Sequence, residues 1–228
     1  MNGIIYYSNT NESYNISKYI ASKTGYDLLD INKLNNFNYD NIFLIFPVHY
    51  QSIPKEIRNI IKKITAKKAV VVATYGKISY GRVLYDLQKI MNAKIVAGAY
   101  VPVKHTYIVD DHRFNSFAEL DPIIDRINDD NEIIFTKTKR NVFSGFMPII
   151  RHQLSIKITK TDKCINCGKC NNLCNYIDNG KIISNKCNRC LKCVNECDYN
   201  GLDFKTSRFM TRYLKKKKKN EDILYLIN

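Results

Sequence analysis

All eight cysteines of the chain fall between Cys164 and Cys197, in two blocks of identical spacing. The first block is Cys164, Cys167, Cys170 and Cys174, and the second is Cys187, Cys190, Cys193 and Cys197, each reading C-x2-C-x2-C-x3-C. The second repeats the first at an offset of 23 residues, and Tyr176 and Tyr199 carry the repeat past the last thiol of each block. This is an internal duplication, and it constrains the chain more than any other feature. Three thiolates two residues apart in a tight loop can each reach a different iron of a cuboidal cluster, with a fourth supplied from elsewhere. Zinc takes four ligands in two pairs, so the third and fourth cysteines of each block are surplus to a tetrahedron. Disulfides need an oxidising compartment, and nothing here signals export: the apolar run Ile4 to Tyr7 is too short for a leader and no Lys or Arg precedes it.

The cysteine segment closely resembles the two-cluster bacterial ferredoxins. The resemblance implies that Cys164, Cys167, Cys170 and Cys197 hold one 4Fe-4S cluster, and that Cys187, Cys190, Cys193 and Cys174 hold the other. The proline that usually follows the fourth cysteine is Asn175 in one block and Asp198 in the other. Both are polar and hydrogen-bonding, which predicts shifted potentials or altered solvent access with the clusters retained.

The rest of the chain is an ordinary globular sequence, with 45% apolar residues and enough length for one or two domains. No apolar stretch reaches bilayer length, Ile42 to Val48 being among the longest, so no transmembrane segment is expected and the cytoplasm is the expected compartment. Charge is uneven: residues 1 to 135 carry 16 Lys+Arg against 14 Asp+Glu, and residues 136 to 228 carry 20 against 7, so +13 of the net +15 lies in the cysteine half. Such an excess steers an acidic partner.

Residues 1 to 133 alternate short β-rich runs with helical periodicity. Strands are expected at Ile4 to Tyr7, Tyr26 to Ile31, Asn41 to Phe46, Ala69 to Ala73 and Lys94 to Val101. Helices are expected after Ser13, after Pro54 (Ile57, Ile60, Ile61, Ile64), at Val83 to Met91, and after Asp121-Pro122 (Ile123, Ile124, Ile127). This predicts an α/β domain with a doubly wound five-stranded parallel sheet, whose ligand loops lie at the carboxyl ends of the strands. Three polar loops follow strands: Ser8-Asn9-Thr10-Asn11-Glu12-Ser13, Pro47-Val48-His49-Tyr50, and Thr74-Tyr75-Gly76 through Tyr80-Gly81. The first either caps its helix or binds an anion on the unpaired N–H groups there.

This region is similar to a flavodoxin. The resemblance implies that Ser8, Thr10 and Ser13 cradle an FMN phosphate, with Asn9 and Asn11 standing where glycines are common; Asn tolerates left-handed backbone angles. It also implies that the second and third loops flank the isoalloxazine, with Tyr50, Tyr75 and Tyr80 as stacking candidates. Nothing resembles a nicotinamide site or a Walker loop, and His49, His105, His112 and His152 show neither metal spacing nor a paired nucleophile.

The reading is therefore a flavodoxin-like domain (1–133), a basic, partly helical linker (134–158), a small α+β two-cluster ferredoxin domain (159–206) and a Lys-rich tail (207–228). In this order the chain resembles flavodoxin-ferredoxin fusion proteins. The resemblance implies an electron carrier that passes electrons between FMN and two 4Fe-4S clusters and on to an acidic redox protein or flavoenzyme. A flavin-dependent reductase with its own small substrate and a zinc-binding, non-redox module are the alternatives. Lys215 to Lys219 are five consecutive lysines, read as a solvated tail; no aromatic interleaving supports nucleic-acid binding.

Overall fold

The computed structural model describes residues 1–108, 116–138, 148–216 and 221–227. The chain forms two compact units: Met1–His105, Asp110–Gly145 and Lys219–Asn228 make the first, and Thr106–Val109 with Phe146–Lys218 make the second. The second unit is thus an insertion between parts of the first.

In the first unit β1 (Asn2–Tyr6), α1 (Glu12–Thr24), β2 (Asp27–Asp30), β3 (Asn38–Pro47), α2 (Lys55–Ile61), β4 (Thr65–Tyr75), α3 (Val83–Gln88), β5 (Asn92–Pro102) and α4 (Asp121–Ile124) follow one another. The five strands pair in parallel in the order 2-1-3-4-5, an order whose crevice lies between β1 and β3. Alternation along the strands builds two cores. Ile42, Leu44 and Phe46 of β3, with Ala69, Val71 and Ala73 of β4, pack against Ile57 and Ile61 of α2 and Val83, Leu84 and Leu87 of α3. Phe43, Ile45, Val70 and Val72 face the other way, onto Ile16 and Ile20 of α1 and Ile123, Ile124 and Ile127. Both faces are covered, which is why these strands read as continuous apolar runs.

The helix expected after Asp121 is broken: α4 runs for one turn and gives way to a 3-10 turn at Asp125–Asn128, with a further 3-10 turn at Phe117–Leu120 ahead of it. A capping box at Ser116 and Glu119 fixes the entry. The sheet also departs from the expected five strands. Leu224–Leu226 adds a sixth strand antiparallel to β5, so the segment read as a free tail closes the sheet of the first unit.

At the amino end, the Met1 α-amino group and Lys67 (2.6 Å) both pair with Asp40, holding its carboxyl down to about 2. The depressed value means that this contribution is present above the ordinary carboxylate range and is lost as the pH falls from about 4 to about 2. Asp40→Asn should therefore flatten that part of the acid limb in melts recorded against pH.

The second unit contains α5 (Pro148–Ser155), β6 (Ile156–Lys160), α6 (Lys169–Leu173), β7 (Ile177–Asp178), β8 (Lys181–Ile182), α7 (Lys192–Asn195), β9 (Leu202–Thr206) and α8 (Arg208–Lys216). The remaining strand, β10, is Leu224–Leu226 of the first unit. β6 pairs antiparallel with β9, and β7 with β8 through Asn179-Gly180, whose φ of 43° and 80° suit a tight two-residue hairpin turn. Ile177, Cys193 and Leu202 form a small core of their own. The linker is helical over Pro148–Ser155, while its residues 139–147 lie outside the described residues, as do Lys217 to Lys219.

Candidate functional site

The carboxyl ends of β1, β3 and β4 bring the three polar loops of the first unit together. Ser13 Oγ and Thr74 Oγ1 are 2.9 Å apart and buried, joining the start of α1 to the end of β4. The Val48 N–H donates to the Thr74 carbonyl at 2.7 Å, joining the β3 and β4 loops. His49 and Ser52 exchange backbone hydrogen bonds of 3.0 and 2.8 Å around Tyr50 and Gln51, both left-handed at φ 53° and 60°. A tight turn with two non-glycine residues at positive φ is costly, and its neighbours hold it in place. Gly81 is one of them: a Cβ there would stand 2.5 Å from Gln51 Cβ and 2.8 Å from its carbonyl oxygen, and its φ is +64°. Gly81→Ala should cost about 1–3 kcal/mol through the left-handed angle and the clash, visible as a lower melting temperature.

Asn11 takes a left-handed φ of 63° at the mouth of α1 and does not cap the helix with its side chain. Ser8 Oγ is shielded from solvent yet has no hydrogen-bond partner among the described residues. A buried orphan hydroxyl in a loop before a helix N-terminus fits an anionic oxygen. Ser13 is already committed to Thr74, and among the described residues Ser8 carries the buried orphan hydroxyl of this loop. Glu12 brings a carboxylate to the same turn. Asn9 donates to the Tyr7 hydroxyl at 3.3 Å, and the Tyr7 and His49 rings are 6.3 Å apart. Burial holds the His49 imidazole below its ordinary value, with the Glu56 carboxylate opposing.

The three tyrosines proposed to stack differ in their placement. Tyr75 is buried and meets Tyr80 edge-on at 5.2 Å, while Tyr80 stacks on Tyr100 at 4.0 Å. Tyr100 accepts the Leu84 N–H at 2.9 Å, and burial raises its hydroxyl pKa well above the phenolic range. Tyr50 is the one whose ring sits by His49, at 6.2 Å. Tyr100 was not legible as part of the loop region, because it lies mid-strand in an apolar run. Lys77 was also missed: it is 0% exposed at φ 60°, with Nζ 3.5 Å from Glu221. No local signal pairs residues so far apart in the chain.

In the second unit the sequence duplication is repeated in the backbone. Asn166 and Arg189 are left-handed at φ 56° and 59°, and Gly168 and Leu191 at 75° and 61°, each pair 23 residues apart. Each cysteine loop then enters a short helix, α6 or α7. Leucine holding the angle that glycine takes in the other block shows the loop geometry prevailing over side-chain preference.

Cys164, Cys167, Cys170, Cys193 and Cys197 line one pocket, with Gly168 and Leu202 among its walls. The Gly201 N–H donates to Cys197 Sγ at 3.2 Å, and a Cβ at Gly201 would stand 2.8 Å from Cys164 Cα, so Cys197 and Cys164 are brought together over that glycine. Burial pushes the Cys190 thiol up to about 11 and Cys193 to about 12, and in both cases the thiol of Cys174 adds to the rise. Both Cys190 and Cys193 are therefore protonated at pH 7. Cys197 thus shares a pocket with the first block's three leading cysteines and with Cys193, while Cys174 and Cys170 are among the thiols that act on Cys193. Among the described residues no three His, Cys, Asp or Glu side chains converge as around a single ion; the thiols line a pocket instead.

Asp198, in the place of a proline, pairs with Lys169 of the other block at 2.6 Å. Tyr107 donates to the Arg189 carbonyl at 2.9 Å and meets His152 Nδ1 at 2.9 Å, bracing the second loop. None of these partners is close in sequence.

No protein-family profile matches the chain, and no curated protein matches it. Among solved structures it is similar to the crystal structure of a "Putative flavoprotein" from Bacteroides uniformis ATCC 8492, at 15% identity and a TM-score of 0.38, over 46% of this chain and 91% of that one. Among the described residues no helix is long and apolar enough to cross a membrane.

Proposed function

We propose that the protein is an electron carrier with a flavodoxin-like unit for FMN and a ferredoxin-like unit for two 4Fe-4S clusters. The observation that supports this reading is the pair of cysteine loops with the same left-handed backbone pattern, with Cys197 lining the pocket of Cys164, Cys167 and Cys170. Cys164, Cys167, Cys170 and Cys197 would hold one cluster, and Cys187, Cys190, Cys193 and Cys174 the other. The 2-1-3-4-5 strand order and the orphan Ser8 hydroxyl at its crevice support the flavin.

When bound, FMN supplies one- and two-electron chemistry and the clusters one-electron chemistry. The chain's own residues bind and orient these groups. Ser8 and Thr10 offer hydroxyls to a phosphate, and the joined loops at Val48–Ser52 and Gly76–Gly81 form a braced rim beside the crevice. The backbone N–H of Gly201 donates to Cys197 Sγ, a bond that would favour the reduced state of a cluster held there.

The test is protein purified without oxygen, denatured and assayed for iron, sulfide and flavin. About eight irons and one FMN per chain are expected. Zinc in place of iron overturns the reading, and iron without flavin removes its flavin half. The +13 excess of residues 136 to 228 suits an acidic redox partner, so the rate of electron transfer to such a protein should fall as salt is raised.

A further inference from the structure

The helix α8 is packed on one side and left open on the other. Leu214 is buried, Met210 is half-buried, and Thr211 Oγ1 bonds Thr206 Oγ1 at 2.7 Å, which fixes the inner side against β9. At about 100° per residue, Lys215, Arg208, Arg212, Phe209 and Tyr213 fall in that order along one arc of roughly 160°. All five are exposed, Phe209 at 71%. The outer face is thus a strip of cations bordered by two aromatic rings one turn apart.

Three further observations mark this end of the unit as a seat for an anionic surface. First, from Phe204 to Lys215 there is no Asp or Glu, while Lys205, Arg208, Arg212 and Lys215 supply four positive charges. Second, Lys157 and Lys205 stand directly opposite each other across β6 and β9, both exposed, and like charges so placed destabilise a sheet unless an anion lies near. Third, Leu154 is 79% exposed and precedes the Ser155 carbonyl that accepts the Ser207 N–H at 2.7 Å; Phe209 lies two residues beyond Ser207. The two most exposed apolar side chains of this region therefore stem from the same hydrogen bond.

We propose that the outer face of α8 binds an anionic lipid surface, with Phe209 and Tyr213 entering the headgroup boundary and the arginines and lysines meeting the phosphates. The composition selects lipid over an acidic protein. An acidic headgroup layer answers both features of this face, phosphates for Arg208, Arg212 and Lys215 and an apolar boundary for Phe209, whereas a carboxylate surface leaves the 71% exposed ring in water. Exposed cations beside aromatic rings on one helix are the pattern of peripheral attachment to acidic lipids. The inference does not depend on cofactor content.

The chain has no tryptophan, so Phe209→Trp places a unique reporter on the face. The full-length variant is titrated with vesicles of phosphatidylcholine alone, or with about a third phosphatidylglycerol, and binding is read by co-sedimentation and by tryptophan emission. The expected result is sedimentation with the anionic vesicles only, with emission moving to shorter wavelength, quenching by brominated lipid and reversal by salt. Adding Arg208→Gln and Arg212→Gln should weaken partitioning roughly 30-fold, about fivefold per arginine. No binding to anionic vesicles overturns the proposal, as does equal binding to phosphatidylcholine. Sedimentation with unchanged emission also overturns it, since the lysine run would then act alone, and an emission shift with an acidic protein but not with vesicles assigns the face to a protein partner.

Discussion

Cys197→Ser is expected to halve the iron in anaerobically purified protein, from about eight atoms per chain to about four. The thiols that lose protection should be those of the other block. Cys197 lines the same pocket as Cys164, Cys167 and Cys170, and its sulfur accepts the Gly201 N–H across the glycine that abuts Cys164. Removing it would open the cluster proposed for the first loop, and Cys164, Cys167 and Cys170 should then be labelled by a thiol alkylator before denaturation. Under the crossed assignment Cys174→Ser should produce the mirror result, exposing Cys187, Cys190 and Cys193; Cys174 is among the thiols that add to the raised values of Cys190 and Cys193. Mass mapping of the labelled cysteines decides between arrangements. If Cys197→Ser exposes Cys187, Cys190 and Cys193, each block serves its own cluster and the crossed assignment is wrong.

Ending the chain after Asn220 should destabilise the first unit by about 3–5 kcal/mol, even though the deleted stretch was read as tail. The strand it removes covers both cores: Ile223 and Tyr225 pack with the α1 side of the sheet, and Leu226 with the α2 and α3 side. It also removes Glu221, whose carboxylate lies 3.5 Å from the fully buried Lys77 ammonium. Losing that partner leaves a buried charge with less compensation, which is costlier than losing a surface pair. β5 would become an exposed apolar edge, so the truncated protein should also aggregate more readily. The measurement is a thermal midpoint, expected to fall by roughly 10 °C, with Glu221→Gln separating the charge from the strand. An unchanged midpoint would mean that the strand is dispensable.

Much of the first unit was legible because its signals are local. Phe43 and Ile45 alternate with Ile42, Leu44 and Phe46, so a strand with both faces covered could be read without knowing its neighbours. Isoleucines at helical spacing did the same for α2. The end of the closing helix was less legible, since Pro122 and Ile123 to Ile127 suit a longer helix than the single turn and 3-10 continuation that form. Tyr75 and Tyr80 read as loop residues that could stack on a ligand; Tyr75 is buried, and Tyr80 is partly buried and stacked on Tyr100, a partner that no local pattern announces.

The largest departure was at the carboxyl end. Five lysines suggested a solvated tail because they break any periodic pattern. A three-residue strand has no signature of its own, and its partner on β5, Gly98 to Tyr100, lies more than a hundred residues earlier.

By itself the sequence determined the alternation of strands and helices, the duplicated cysteine loops and the sign of the second half's charge, because each depends on residues within a turn or two of one another. The tertiary structure alone decided what closes on what: β10 on β5, Glu221 on Lys77, Ser13 on Thr74, Gly81 beneath Gln51, and Cys197 beside Cys164 across Gly201. Those contacts arise where distant segments compete for the same buried space, and only the packed chain sets the outcome.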